Sequence, residues 1–404
     1  MEYSSLETSS KKKIFGIQKE IFWLGVVSFL TDISSEMIFS VLTIFLSAIL
    51  GATSFMIGIM EGIADFSASS LDYLSGYLSD KTGKRKFFAV FGYGFSTIAK
   101  CLLIFANSIS AVFTFRVIER LGKSIRGAPR DALISTITEK ENLGYAFGFH
   151  KTMDKAGAVL GPFIGYFILR LLGQNLESFL FLFRVAIIPA ILSVLILALF
   201  IHEKKPAVAK VRENIFKNYQ NLGETFRAYL KVAGFFSLAY FSFAFLLLKA
   251  YSAGFGIQDV VLLYALFNTS FILISIPIGK IGDKIGREKI ILAEYLIYTI
   301  MCAGFVLTTS KAAIIVLFVV YGIFYAIDEG QTKAYISDIT PTEHRASAIG
   351  LYNFVTGLIY LPASLIAGWL WYSYSPSVAF SVAGMIAVIS AFAFNFIKSQ
   401  QQQA

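Results

Sequence analysis

Charge is scarce in this chain. Of its 404 residues only 15% are Asp, Glu, Lys or Arg, and 56% are hydrophobic; ordinary soluble domains carry about 25% charged residues. A soluble fold with this balance would expose too much apolar surface, so lipid is the expected solvent. Cysteine is nearly absent. Cys101 and Cys302 fall inside expected helices of different halves, which excludes a disulfide framework. Three histidines and two dispersed cysteines give no metal-ligand spacing. Also missing are a serine elbow and a phosphate loop. The chain therefore reads as a non-enzyme without catalytic residues, cofactor or metal. The first hydrophobic stretch is too long for a signal peptide and has no small-residue cleavage site, so it is expected to be retained.

What is present is a succession of long apolar runs. A membrane helix needs about 20 apolar residues, and twelve such stretches can be placed: 18–49, 54–79, 86–107, 109–137, 143–172, 178–201, 226–250, 257–281, 288–309, 311–337, 343–372 and 375–397. Forty Phe and twenty Tyr suit lipid-facing and interfacial positions. The net charge of +9 does not imply nucleic acid, because the basic residues gather in alternate loops. They include Lys11 to Lys13, Lys84 to Lys86, Lys204, Lys205, Lys284, Arg287 and Lys289. By the positive-inside rule both termini are expected in the cytoplasm, and a bacterial inner membrane is the expected location.

The polar stretch 202–225 divides the chain into an expected bundle 1–201, a cytoplasmic linker and a second bundle 226–404. The halves echo each other. Gly76, Asp80, Gly83 and Lys86 recur as Gly279, Asp283, Gly286 and Lys289. Ala132, Ser135, Ile137 and Thr138 recur as Ala334, Ser337, Ile339 and Thr340. Duplicated halves mark a parallel repeat around a midplane site.

On these motifs the whole chain resembles the major facilitator superfamily, whose signature GxLxDrxGrrk is similar to Gly76–Lys86 and whose second copy falls at the same place after helix eight. The resemblance implies an all-α integral membrane protein of twelve transmembrane helices in two pseudo-symmetric six-helix bundles. It further implies a secondary transporter working by alternating access, usually as a monomer. Asp80 would face the N-terminus of helix eleven near Thr342, and Arg85 would pair with Asp131, as a gating latch. Asp283 and Arg287 would serve in the second copy, or only set topology. Gly157, Gly161, Pro162 and Gly165 resemble the helix-five signature of proton-coupled exporters, or form an ordinary packing face. In helix four Arg116 matches the exporters' buried Arg, but Arg120 stands where they carry Gly, which leaves the substrate class open.

Ionisable residues inside a membrane are costly and read first as functional. Asp32 and Glu36 share one helix face. Two carboxylates that close in a low dielectric resist double ionisation, as a proton carrier needs; a static salt bridge to Arg116 or Arg120 is the alternative. Glu61 and Asp65 repeat that spacing. Arg116, Glu119 and Arg120 form a stripe that either offers bidentate forks to an anion or pairs with the acids. His150, one turn before Asp154, either shuttles protons or is structural. Tyr240, Tyr264, Phe267, Tyr325, Tyr352, Asn353 and Tyr360 are candidates for the second-half wall. The expectation is a proton-coupled carrier of a small, charged organic solute, with efflux by antiport favoured. The alternatives are an importer of an anion such as a carboxylate or siderophore and, from another class, a lipid flippase. Partners are then substrate, protons and membrane lipids.

Overall fold

The computed structural model describes residues 13–14, 17–138, 142–203, 219–341 and 344–401, apart from the side chains of 13, 17, 69, 70, 72, 73, 80, 346 and 399–401. A short antiparallel pair, β1 (Lys13–Ile14) and β2 (Ile17–Gln18), precedes the helices. The first half holds α1 (Lys19–Ile44), α2 (Ser54–Thr82), α3 (Arg85–Leu103), α4 (Ile109–Ile137), α5 (Leu143–Leu172) and α6 (Leu176–Phe200). A π turn, Phe45–Ile49, extends α1. The second half holds α7 (Glu224–Ser237), α8 (Ala244–Ser252), α9 (Ile257–Ile285), α10 (Arg287–Leu307), α11 (Lys311–Asp338), α12 (Arg345–Ser373) and α13 (Pro376–Gln401).

Nine of the described helices, with α1 taken through its π turn, are long and apolar enough to cross a membrane on those grounds alone. The remaining spans are α2, α4 and the α7–α8 pair. Of these three, α2 carries the buried Glu61 and α4 the buried Arg116, Glu119 and Arg126, while Lys249 is buried on α8. Glu61 and Arg116 are tolerated because other helices cover them and the two side chains pair with each other.

One expected helix is two. Span seven, expected as 226–250, breaks at 238–243 between α7 and α8. No proline causes this. The freed backbone finds partners in the bundle instead: Tyr298 donates to the Ala239 carbonyl at 2.6 Å, and Ser242 Oγ accepts from Ala244 N at 3.3 Å. Irregular backbone at membrane depth survives only when buried or lining a cavity, and this segment lines one.

Within the first half α1 packs on α5 and α6, and α4 on α2 and α3; within the second, α11 packs on α9 and α10, and α13 on α7 and α10. The halves meet through α2 with α12 and α5 with α9. Small residues permit the closest approaches. A Cβ on Gly58 would lie 2.5 Å from the Ser364 carbonyl oxygen, which seals α2 against α12 on the face away from the chain termini. Between α3 and α4, a Cβ on Gly122 would lie 2.4 Å from Ser96 Oγ and 2.8 Å from the Gly92 carbonyl oxygen. Overpacking costs about 1–3 kcal/mol, and more where the obstacle is backbone that cannot yield. Gly122→Leu is therefore expected to abolish the monodisperse peak in size-exclusion chromatography of detergent-solubilised protein, with Gly94→Leu, whose Cβ meets nothing within 4 Å, as the tolerated control.

The duplicated loops turn at Gly83 (φ 68°) and Gly286 (φ 95°), left-handed positions that favour glycine. Beside them Arg287 bridges Asp283 at 3.1 Å and Asp338 at 2.7 Å, tying α9 and α11 to the start of α10. In the first half Arg85 donates to Thr136, the residue matching Asp338 in the repeat. Its backbone N–H donates to Glu203 at 2.6 Å. The expected Arg85–Asp131 pair is not formed: Asp131 is held by the adjacent Arg130 at 2.9 Å, which reaches it first. Gly76 is buried in α2. The side chain of Asp80, and Thr342, lie outside the described residues.

Candidate transport cavity

Between the halves lies a cavity of about 510 Å³. Its walls differ in chemistry. The first half supplies Glu36, Phe39, Glu61, Asp65, Arg116, Arg120 and Lys123; the second supplies Tyr240, Phe243, Tyr264, Phe267, Tyr321 and Tyr325 along with Asp328, Glu329 and Lys333. All seven residues expected on the second-half wall line it.

Exposure along four helices shows which way it opens. On α2, Glu61 is buried and Asp65 half-buried; on α4, Arg116 is buried and Lys123 exposed. On α11, Tyr321 is buried and Lys333 exposed; on α12, Ser364 is buried and Asn353 exposed. Each series runs toward the face that carries both termini. The cavity therefore opens there and is closed opposite, where Gly58 meets Ser364.

At its closed end Arg116 reaches across to α2. Its Nε and Nη2 donate to the two Glu61 oxygens at 2.9 and 2.7 Å, a bidentate fork. Glu61 also accepts from Ser242 at 3.1 Å, a contact between halves made by the break in span seven. The Arg116 guanidinium lies 4.4 Å over the Phe39 ring. One turn on, Arg120 pairs with Asp65 at 3.1 Å. The arginines thus take partners from α2, and not from Asp32 or Glu36 on α1. Behind them Glu119 is fully buried, 3.7 Å from Arg116 Nη1, and its oxygens accept no hydrogen bond among the described residues.

Glu36 is placed differently. It lines the cavity, accepts a hydrogen bond from Tyr264 of the opposite half, and has no ion pair among the described residues. It stays near α5 because Gly161 lacks a side chain: a Cβ there would lie 3.0 Å from the Cβ of Glu36. Gly157 stands in the same relation to Asp32, and Gly165 continues the stripe past buried Pro162. Asp32 is outside the cavity lining. Asp154 accepts from Ser28 at 2.6 Å, and the buried His150 Nε2 has no partner among the described residues. His150 and Asp154 thus lie along the α1–α5 seam, and Asp32 lies beside it one turn before Glu36 on the same face of α1.

A third link between halves runs from α5 to α11, where Glu329 takes Lys151 at 2.5 Å and Lys155 at 3.6 Å. A partly exposed pair contributes about 1 kcal/mol, and about 1 kcal/mol changes a two-state population about fivefold. Lys151→Gln with Lys155→Gln is expected to widen the α5–α11 distance distribution measured between spin labels on the termini face by that population shift.

Sequence reasoning missed Ser242 and Phe39 as cavity residues. A serine inside an apolar run, and one Phe among forty, carry no periodic or compositional signal.

A sequence model of the Major Facilitator Superfamily matches residues 24–327 and 232–403. The chain belongs to the major facilitator superfamily. It is 36% identical over 388 residues to an uncharacterized MFS-type transporter of Methanocaldococcus jannaschii, covering 94% of this chain and 95% of that one. It is 28% identical to a multi-drug resistance efflux pump of Streptococcus pneumoniae, over 70% of this chain and 72% of the pump. The nucleoside transporter NupG superposes with a TM-score of 0.79 at 14% identity, covering 93% of this chain and 99% of that one. A peptide transporter of the POT family does so with 0.78 at 11%, covering 96% of each. At such identities the structural matches speak for the fold. This superfamily member is thus a multi-pass membrane transporter and not an enzyme.

Proposed function

We propose that this transporter is a proton-coupled antiporter that exports a small amphipathic organic solute, cationic or neutral, by rocking of bodies 1–201 and 226–404 as a monomer. The observation that carries this reading is Glu36. It is a cavity carboxyl, linked across the halves to Tyr264, with no cation in ion-pair reach among the described residues. Such a group can exchange a proton for a cationic or polar solute while its link to the other half breaks. Asp328, which lines the cavity and also has no ion pair among the described residues, offers a second acid on the facing wall. The two arginines are engaged by Glu61 and Asp65, so they do not stand as free anion sites. The aromatic wall suits an organic ring or cation. Likeness to the pneumococcal efflux pump supports the outward direction. Basic loops on the open face support cytoplasmic termini, which makes the conformation inward-open.

A second reading, import of an organic anion, is favoured by Lys123 and Lys333, exposed at the cavity mouth without an ion pair among the described residues. Proton release from purified protein in weak buffer, on titration with panels of organic cations and anions, separates the two. Release with cations supports antiport; proton uptake with anions alone favours the second reading.

A further inference from the structure

A second concavity, of about 450 Å³, lies away from the transport cavity between α7 and α12. Its lining is apolar: Leu230, Gly234, Phe235 and Leu238 from α7, and Val355 and Ile359 from α12. The exception is Lys231, at its edge. Gly234 makes the floor, since a Cβ there would meet Ile359 Cδ1 at 3.3 Å.

The groove's depth matches one leaflet. At about 1.5 Å per residue Lys231 lies about 10 Å from the start of α7, and Leu238 about two turns deeper. Arg227 is one turn before Lys231 on the same helix face. Neither side chain has an acidic partner among the described residues. Arg227 rests against the Tyr219 ring at 6.0 Å, and its Nε is buried without a hydrogen-bond acceptor. Two cations, one turn apart and without an acidic partner among the described residues, at one end of an exposed apolar channel complement an anionic headgroup joined to an acyl chain. A soluble anion would use the cations and leave the channel empty. A zwitterionic lipid would use the channel and leave the cations unmatched.

From this juxtaposition we infer that the α7–α12 groove is a binding site for an anionic phospholipid of the leaflet on the termini face. Its phosphate lies at Arg227 and Lys231, and an acyl chain runs along Gly234 to Leu238. The site abuts the break in span seven: Leu238 ends the groove, and Tyr240, two residues on, faces the transport cavity. A bound chain would brace α7 against α12 beside the moving segment.

The test uses the full-length purified protein and native mass spectrometry with phosphatidylglycerol and phosphatidylcholine of identical chains. Wild type is expected to retain one phosphatidylglycerol under conditions that strip phosphatidylcholine. A basic residue near an anionic surface is worth about fivefold in affinity, so Arg227→Gln with Lys231→Gln should weaken retention about thirtyfold. Both cations are at least partly exposed, and their neutralisation leaves the packing intact; an unchanged melting temperature in phosphatidylcholine nanodiscs checks this. As a control, Lys84→Gln with Lys86→Gln removes two basic residues on the same face and should leave retention unchanged. Equal retention of both lipids, or equal phosphatidylglycerol retention by wild type and the double variant, would overturn the assignment.

Discussion

Glu36→Gln will leave the protein folded and able to exchange solute across a liposome membrane, yet unable to accumulate it against a proton gradient. Gln matches Glu in shape and can still accept from Tyr264, so the link between α1 and α9 survives in geometry. What it loses is the capacity to carry a proton. No neighbouring arginine needs the charge, because Arg116 and Arg120 already have Glu61 and Asp65. The variant should therefore show counterflow near the wild-type rate and gradient-driven transport at the level of empty liposomes. Loss of both activities would make Glu36 a solute ligand or a structural group. Retention of both would remove it from coupling and shift attention to Asp328.

The contrast between Glu36 and Glu61 explains how far the sequence could be read. Both are acids inside apolar helices, and composition marks both as costly. Duplicated loops and twelve apolar runs made the fold legible, because topology depends on hydropathy and charge placement, which are local. The seven aromatic and amide residues assigned to the second-half wall were legible for a related reason: they lie on faces that the pseudo-symmetry turns inward. Which carboxylate faces which arginine depends on the rotation of α1, α2 and α4 about their axes. That is fixed by contacts such as Gly161 against Glu36 and Gly122 against Ser96, distant in sequence. The spacing of Asp32 and Glu36 suggested one functional pair. In the structure both stay on one face of α1, against Gly157 and Gly161 of α5, and Glu36 is the one that lines the cavity. The break at 238–243 was hidden for a similar reason. Its backbone groups are satisfied by Tyr298 and Ser242, and no local proline announces it.

Removal of Arg116 should have the largest effect on stability. The guanidinium is buried, forks onto Glu61, stacks on Phe39 and is the nearest cation to the hydrogen-bond-free carboxylate of Glu119. Breaking a buried pair from one side costs about 3–5 kcal/mol, because the remaining charge stays buried without a partner. Here two carboxylates would be left, so Arg116→Met should lie at or above the upper end, seen as a lower melting temperature and loss of folded protein in detergent. Arg116→Lys should recover part of the loss, since a single ammonium cannot reproduce the fork. Arg116→Met with Glu61→Gln should also recover part of it, because the amide no longer carries a stranded charge. That double variant has a further use. The amide that replaces the Glu61 carboxylate would still face Ser242, so the contact between halves would persist without the ion pair beneath it. If transport nevertheless fails in a protein restored to stability, the Arg116–Glu61 pair serves gating by holding its carboxylate toward the break in span seven. If transport returns with stability, the pair is a structural filler of the closed end, and gating rests on Glu36 and Glu329.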